Sequence, residues 1–383
     1  MMRCAECKGK GMCGLPRCPI VSRFHAQAAI KPMNYYQGSS PSVFIGSSGY
    51  PDVQGGPLLI NDNDDPLDWL ARNLGIEDIV SIRARTISGR SALHTETEVS
   101  NLQEIALSSV PLDVDVSFDK PVTFSLNFDG TVAPVGLTGS VKNMEVLENA
   151  RVERVVDRII SDTDMGATDA CRALRDSAID VYQISTLMTA GLLGKRRTFV
   201  PTRWAITAVD DTLSIHLKKE IARYPPIDEI RLFMAEIFGN RIICILVPGD
   251  WKYEMIEIWG CRTLWAGEEE VIVQDQEGMT KKGYSPISGA YYSARLAACE
   301  YLKNIQRSAR VVIIRSISSA YWAPLGTWVI REATRKAMTN PHVICDSLDT
   351  AVRQASALIG SDTWVRHSRL IPGLRTQRTL FHF

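Results

Sequence analysis

The chain has 383 residues, 45% of them apolar and 22% charged, with 43 basic side chains against 43 acidic ones. That is an ordinary globular composition, with enough length for two or three domains and a sizeable core. Net neutrality excludes a uniformly basic nucleic-acid coat, and no apolar run reaches the roughly 18 residues that a membrane span needs.

The N-terminus reads MMRCAECKGKGMCGLPRCP. It lacks the apolar stretch of a secretory signal, so a soluble, cytoplasmic protein is expected. Cys4, Cys7, Cys13 and Cys18 follow the spacing C-x2-C-x5-C-x4-C. A disulfide pairing needs an oxidising compartment, which nothing else here supports. Four unrelated thiols so close together would be an accident. A tetrahedral thiolate site fits better. Cys-x-x-Cys aims two sulfurs at one ion, and Gly9, Gly11 and Gly14 allow the turns that bring in the second pair. Zinc is expected ahead of an iron–sulfur cluster. All four positions are filled by protein, so the role is structural, and so small a knuckle needs its metal to hold together. Arg3, Lys8, Lys10, Arg17, Arg23 and Lys31 make this end basic, with Glu6 the sole acid among residues 1–33. A solvated surface explains that charge about as well as phosphate binding does.

Residues 35–66 are rich in glycine and serine around a short strand at 43–45. The stretch 46–57 reads either as an ordered surface loop or as a ligand loop. In the second case the backbone of Gly46, Ser47, Ser48, Gly49, Gly55 and Gly56 would meet an anion such as a nucleotide phosphate. No Gly-Lys-Ser/Thr follows, so it is not a P-loop, and GLLGKRRT at 191–198 fails the same test. Residues 78–86 read as a strand, and short β segments follow to Asp129-Gly130. From Val146 the period becomes helical: Val152, Val155, Val156 and Ile159, then Ala170, Leu174, Ala178 and Val181.

The signal from 230 to 259 is β. Two apolar runs flank Gly239-Asn240, which reads as a hairpin turn, and WKYEMIEIW follows as the next strand. Residues 289–305 read as a helix and 311–317 as a strand. Residues 347–359 form the last clear helix, with Asp346 or Ser347 as N-cap and Gly360 at its end. Five cysteines outside the knuckle, Cys171, Cys244, Cys261, Cys299 and Cys345, read as core. The fold class expected is α+β (mixed α/β): an antiparallel-rich sheet with packed helices, a small N-terminal zinc knuckle and a flexible C-terminal tail. The expected divisions are a knuckle at 1–33, a β-rich segment at 34–145, a core at 146–360 and a tail at 361–383.

Several polar residues are candidates for chemistry. Arg203 precedes Trp204, and Asp210 and Asp211 close the same segment; Glu254 and Arg295 lie further on. Paired acids can bind a divalent ion for phosphoryl chemistry, and arginine beside tryptophan can clamp a nucleotide. Each has a plainer counterpart: a solvated turn, or packing with a salt bridge. Glu254 and Glu257 point to opposite faces of a strand, so only one can line a given pocket.

The tail ends in QRTLFHF, and Pro372-Gly373 is expected to break any helix before it. Gln377, Leu380 and Phe383 stand three apart, which one 3₁₀ turn puts on one side. That is the spacing of a peptide that docks on a sliding clamp: Leu380 and Phe383 enter an apolar pocket and the Gln377 amide meets a polar one. The other reading is a tail folded onto its own core.

PSVFIGSSGYPDVQGGPL, VPTRWAITAVDD, AYYSARLAACEYL, the four-cysteine knuckle and the clamp-like tail together resemble the archaeal Nre DNA repair proteins, over nearly the whole chain. The resemblance implies repair of DNA damage in company with the sliding clamp PCNA, with DNA as a further partner. It names a pathway rather than a reaction. The usual clamp peptide ends on two adjacent aromatics; here Phe383 is last, and Phe381 is the residue placed to compensate. The expected function is a zinc-containing repair factor recruited through the clamp. The alternative is an enzyme acting on nucleotides or DNA ends, and a pure scaffold is a third option.

Overall fold

The computed structural model describes residues 7–12, 14–93, 95–126, 128 and 131–376. Cys4, Cys13, Gln377, Leu380, Phe381 and Phe383 lie outside the described residues. The chain divides by its contacts into two units, one built chiefly on Cys18–Leu213 and the other chiefly from Ser214 onward.

In the N-terminal unit, helix α1 (Pro19–Ala28) precedes strands β1 (Met33–Ser40), β2 (Ser42–Ile45) and β3 (Gly55–Leu59). Helices α2 (Pro66–Ala71) and α3 (Ile76–Arg85), strand β4 (Ile87–Arg90) and helix α4 (Glu96–Leu107) follow, then β5 (Leu112–Val122) and β6 (Thr138–Val146). The strands form a mixed six-stranded sheet in the order β1-β5-β6-β4-β3-β2, with β4 and β6 its parallel pair. β5 shows why it sits inside. Leu112, Val114, Val116 and Phe118 are buried while Asp113 and Asp119 are exposed, which is the period of two that gives a strand one apolar face. Helices α5 (Arg154–Ser161), α6 (Ala167–Asp176) and α7 (Val181–Thr189) follow, and α8 (Thr202–Ile221) carries the chain across the division between the units.

Residues 78–85 are helical and Thr86 is the extended cap, in place of the strand that the β-branched content of 78–86 suggests. The deciding feature is the start of α3. The Gly75 N–H donates to Asp78 Oδ2 at 2.9 Å, which ties off the first turn, and Ile76, Ile79 and Val80 then share a buried stripe.

The C-terminal unit holds β7 (Ile230–Ile237), β8 (Asn240–Val247), β9 (Lys252–Trp259), β10 (Val271–Glu277), α9 (Gly289–Asn304), β11 (Arg310–Ile317), α10 (Trp328–Thr339), β12 (Val343–Cys345) and α11 (Leu348–Ile359). A 3₁₀ turn (Thr363–His367) and α12 (Leu370–Thr376) end it. The sheet order is β10-β9-β11-β8-β7-β12, all antiparallel but for β9 with β11. β9 is therefore a strand, as expected, but it neighbours β10 and β11 rather than β8. Val311, Val312, Ile313 and Ile314 are all buried, as befits a central strand covered on both faces.

One core gathers Ile243, Ile245, Ile256, Val312 and Ile314 with Val352, Trp364, Leu370 and Ile371 from the C-terminal helices. On the other face Tyr253 donates from its hydroxyl to the Tyr291 carbonyl of α9 at 3.0 Å. The β7–β8 hairpin turns at Phe238 and Gly239, both at positive φ (49° and 72°), one residue before the expected Gly239-Asn240. Asn240 instead opens β8, and its side-chain amide donates to the carbonyls of Ile237 and Phe238 to hold the turn.

Pro372 does not break the last helix. It is the third residue of α12, in the first turn, where its missing N–H has no intrahelical partner to lose. Among the single cysteines Cys171, Cys244, Cys299 and Cys345 are buried, but Cys261 is exposed. Burial pushes the Cys171 thiol up to about 12, so it stays protonated and inert.

Candidate functional site

The glycine-rich loop leaves β2 and returns into β3. Gly46 donates its N–H to the Gln54 carbonyl at 2.8 Å, and Gly55 donates to the Ser91 carbonyl at 3.1 Å. Gly55 and Gly56 are thus strand residues. A side chain on Gly56 would sit 2.3 Å from the Gly89 carbonyl of β4, so close strand packing accounts for that glycine. Ser47, Ser48 and Gly49 form the loop tip, with Gly49 at φ +77°.

Two contacts join this loop to the start of α8. Ile45 donates its N–H to Thr202 Oγ1 at 2.9 Å. The Tyr50 ring packs on Trp204 with centroids 5.1 Å apart, and both remain nearly half exposed (47% and 43%). Arg90 lies over the Phe44 ring at 4.4 Å, and its Nε donates to Ser88 Oγ at 3.1 Å. Burial lowers the Arg90 pKa. Gly46 lets Arg90 approach, because an added Cβ would meet Nη1 at 3.2 Å. Arg203 is exposed beside Trp204. The arrangement offers aromatic faces with guanidinium groups nearby, the chemistry that stacks a base and attracts a phosphate. Asp210 and Asp211 lie about two turns further along α8, Asp210 fully buried and Asp211 partly so.

The C-terminal unit holds a second polar cluster under α9. Glu277, at the end of β10, accepts from Lys218 Nζ on Oε1 at 2.6 Å and from Arg295 Nη1 on Oε2 at 2.6 Å. The Tyr291 hydroxyl donates to the same Oε2 at 3.2 Å, and Arg295 Nε donates to Ser214 Oγ at 3.1 Å. Burial and the Glu277 charge hold the Tyr291 hydroxyl protonated. Lys281 pairs with Asp275 at 2.7 Å at the rim of the cluster. A similar pair lies further along the sheet, where Arg315 meets Glu257 in register and also donates to Asn240 Oδ1 at 2.6 Å.

Glu254 and Arg295 serve different faces of this sheet. Arg295 belongs to the α9 face. Glu254 points the other way and accepts from Ser368 Oγ at 2.5 Å, from the Arg369 N–H at 2.6 Å and from the Leu370 N–H at 3.3 Å. Burial raises its pKa, and these three donors pull it back. Its carboxylate anchors the start of α12. Sequence reasoning missed Glu277 and Lys218. An acid at a strand end reads as a solvated turn, and the partner 59 residues away carries no local signal.

In the N-terminal segment Cys7 is buried and Cys18 partly exposed at the cap of α1. No group of three or more His, Cys, Asp or Glu comes together among the described residues, which include only these two of the four cysteines.

These features define an α+β protein of two mixed sheets, one carrying a surface loop braced by an aromatic pair, the other a buried ion-pair cluster. Residues 12–266 match the N-terminal part of archaeal Nre, and residues 276–383 match the C-terminal part. The chain belongs to the archaeal Nre family. It is 35% identical to DNA repair protein NreA of Archaeoglobus fulgidus, over 95% of each chain, and 35% identical to DNA repair protein NreB of the same organism, over 100% of each. Identity to DNA repair protein NreA of Haloferax volcanii is 30%, over 89% of this chain and 87% of that one. No solved structure matches it. No helix among the described residues is long and apolar enough to cross a membrane.

Proposed function

We propose that this chain is a DNA repair factor that reaches DNA through the sliding clamp PCNA, with a structural zinc in its Cys4, Cys7, Cys13, Cys18 knuckle. The observation that carries the repair role is the end-to-end 35% identity to two proteins named for DNA repair. The clamp contact rests on QRTLFHF, which places Gln377, Leu380 and Phe383 three residues apart directly after α12. Burying Leu and Phe side chains is worth roughly 1.5–3 kcal/mol each before ordering costs, which suits a Kd near or below the micromolar range. Calorimetry with the clamp from the same organism tests it. The full chain should bind, and a chain lacking 376–383 should not; undiminished binding by the shortened chain refutes the contact.

A second reading, an enzyme or binder of nucleotides or DNA ends, has one observation in its favour. The Ile45–Thr202 hydrogen bond and the Tyr50–Trp204 contact bring the glycine-rich loop and the VPTRW segment to one place, beside Arg203 and Arg90. Base stacking on an aromatic ring is worth about 1–3 kcal/mol. Trp204→Ala should therefore weaken single-stranded DNA or nucleotide binding by roughly tenfold or more in a fluorescence titration. Equal affinity of both proteins removes this reading's support.

A further inference from the structure

A cavity of about 520 Å³ opens in the C-terminal unit between the ends of β9 and β10 on one side and α12 on the other. That is within the range of small-molecule sites, about 300–1,000 Å³. Lys252, Lys282 and Arg369 line it, and all three are exposed. Among the described residues none of these three makes an ion pair. The acids that reach the cavity are already matched. Asp275 pairs with Lys281, and the Glu277 carboxylate is filled by Lys218, Arg295 and Tyr291. Three cations thus border a hollow whose own carboxylates are neutralised by other partners. Leu370 and Leu374 give it an apolar side.

We infer that this cavity is a binding site for a phosphate group, carried either by a free nucleotide or by the phosphorylated end of a DNA strand. Arg369 also acts at a distance on the Glu254 carboxylate, whereas Lys252 and Lys282 form no ion pair among the described residues and keep their attraction for a polyanion. Concentrating them at a concave wall of low dielectric focuses that attraction. The leucine side accepts the apolar face of a sugar or base, which a bare inorganic anion would leave unused. Its lining residues all belong to the C-terminal unit and none of them to the 46–54 loop or to QRTLFHF, so loss of either property leaves the other measurable.

The test uses the full chain and two probes, deoxyadenosine monophosphate and a short single-stranded oligonucleotide bearing a 5′-phosphate, titrated by calorimetry at low and moderate salt. Both lysines have exposed side chains and no ion pair among the described residues, so Lys252→Ala/Lys282→Ala should fold normally, checked by circular dichroism. At least one probe should bind the native chain, and the double variant should bind it at least tenfold more weakly with a shallower salt dependence. Lys120→Ala, an exposed lysine of β5, should change nothing. The tighter probe assigns the phosphate to a free nucleotide or to a strand end. Failure of both probes to bind, or equal binding by the native chain and the double variant, overturns the proposal.

Discussion

Glu254 shows how one buried carboxylate can organise the end of a chain. Its oxygens take the Ser368 hydroxyl and the N–H groups of Arg369 and Leu370, the donors that a helix start leaves unmatched. Glu254→Ala would take the acceptor from those donors, at about 1–3 kcal/mol for each buried one left unmatched. The charge itself works the other way. Burial raises the Glu254 pKa above its ordinary 4.5, so the folded chain holds this proton more tightly than the unfolded one. Between 4.5 and the raised value the folded state binds more protons, and stability contributed by this group falls as pH rises. Glu254→Gln has no proton to lose. Urea unfolding of both proteins from mildly acid to neutral pH should show the native chain losing stability relative to the variant. A relative gain with rising pH contradicts the assignment. The sequence placed Glu254 on one face of a strand correctly, since alternation is visible in WKYEMIEIW. It gave no sign of what the carboxylate would hold, because its partners lie 114–116 residues away.

At the scale of elements, the legible parts are those whose pattern and boundaries agree. α11 has a buried stripe of Ala351, Val352 and Ala355, a Ser347 cap that accepts from the Thr350 N–H at 3.1 Å, and Gly360 in the left-handed region at φ +82°. Those three signals are local, and the helix was readable from them. α3 was not, because IVSIRART mixes β-branched residues with polar ones, and the tie from Gly75 to Asp78 decided it. Two glycines separate conformational strain from steric clash. An alanine at Gly360 meets nothing within 4 Å, so its cost is left-handed strain alone, about 1–2 kcal/mol. At Gly239 the new Cβ would also sit 2.6 Å from Ser318 Oγ and 2.8 Å from Ala320 Cβ. Gly239→Ala should therefore destabilise clearly more than Gly360→Ala by chemical denaturation, with the β7–β8 hairpin disturbed. Equal losses would mean that the hairpin yields without resistance.

Across the whole molecule, composition and strand–helix alternation made the α+β class legible, while the order of strands within each sheet was hidden. Sheet order depends on which distant segments meet, and β9 reads as a neighbour of β8 until β11 is seen between them. A metal in so small a segment as the N-terminal knuckle is inseparable from that segment's folding. Elemental analysis of the purified chain should find about one zinc per molecule, and Cys7→Ser/Cys18→Ser should abolish it. A fully metal-free native chain, or iron in place of zinc, contradicts the proposal.

The central place of β11 also sets a timetable for the newborn polypeptide. Until the ribosome has released residues 310–317, the β7–β8 and β9–β10 ribbons have no strand to join them, and their inner edges stay open. Such edges invite pairing with other chains. The N-terminal sheet is complete by residue 146, so it can settle while its successor still waits. Late closure of that kind makes the interval before β11 emerges the period in which a holding chaperone has most to protect.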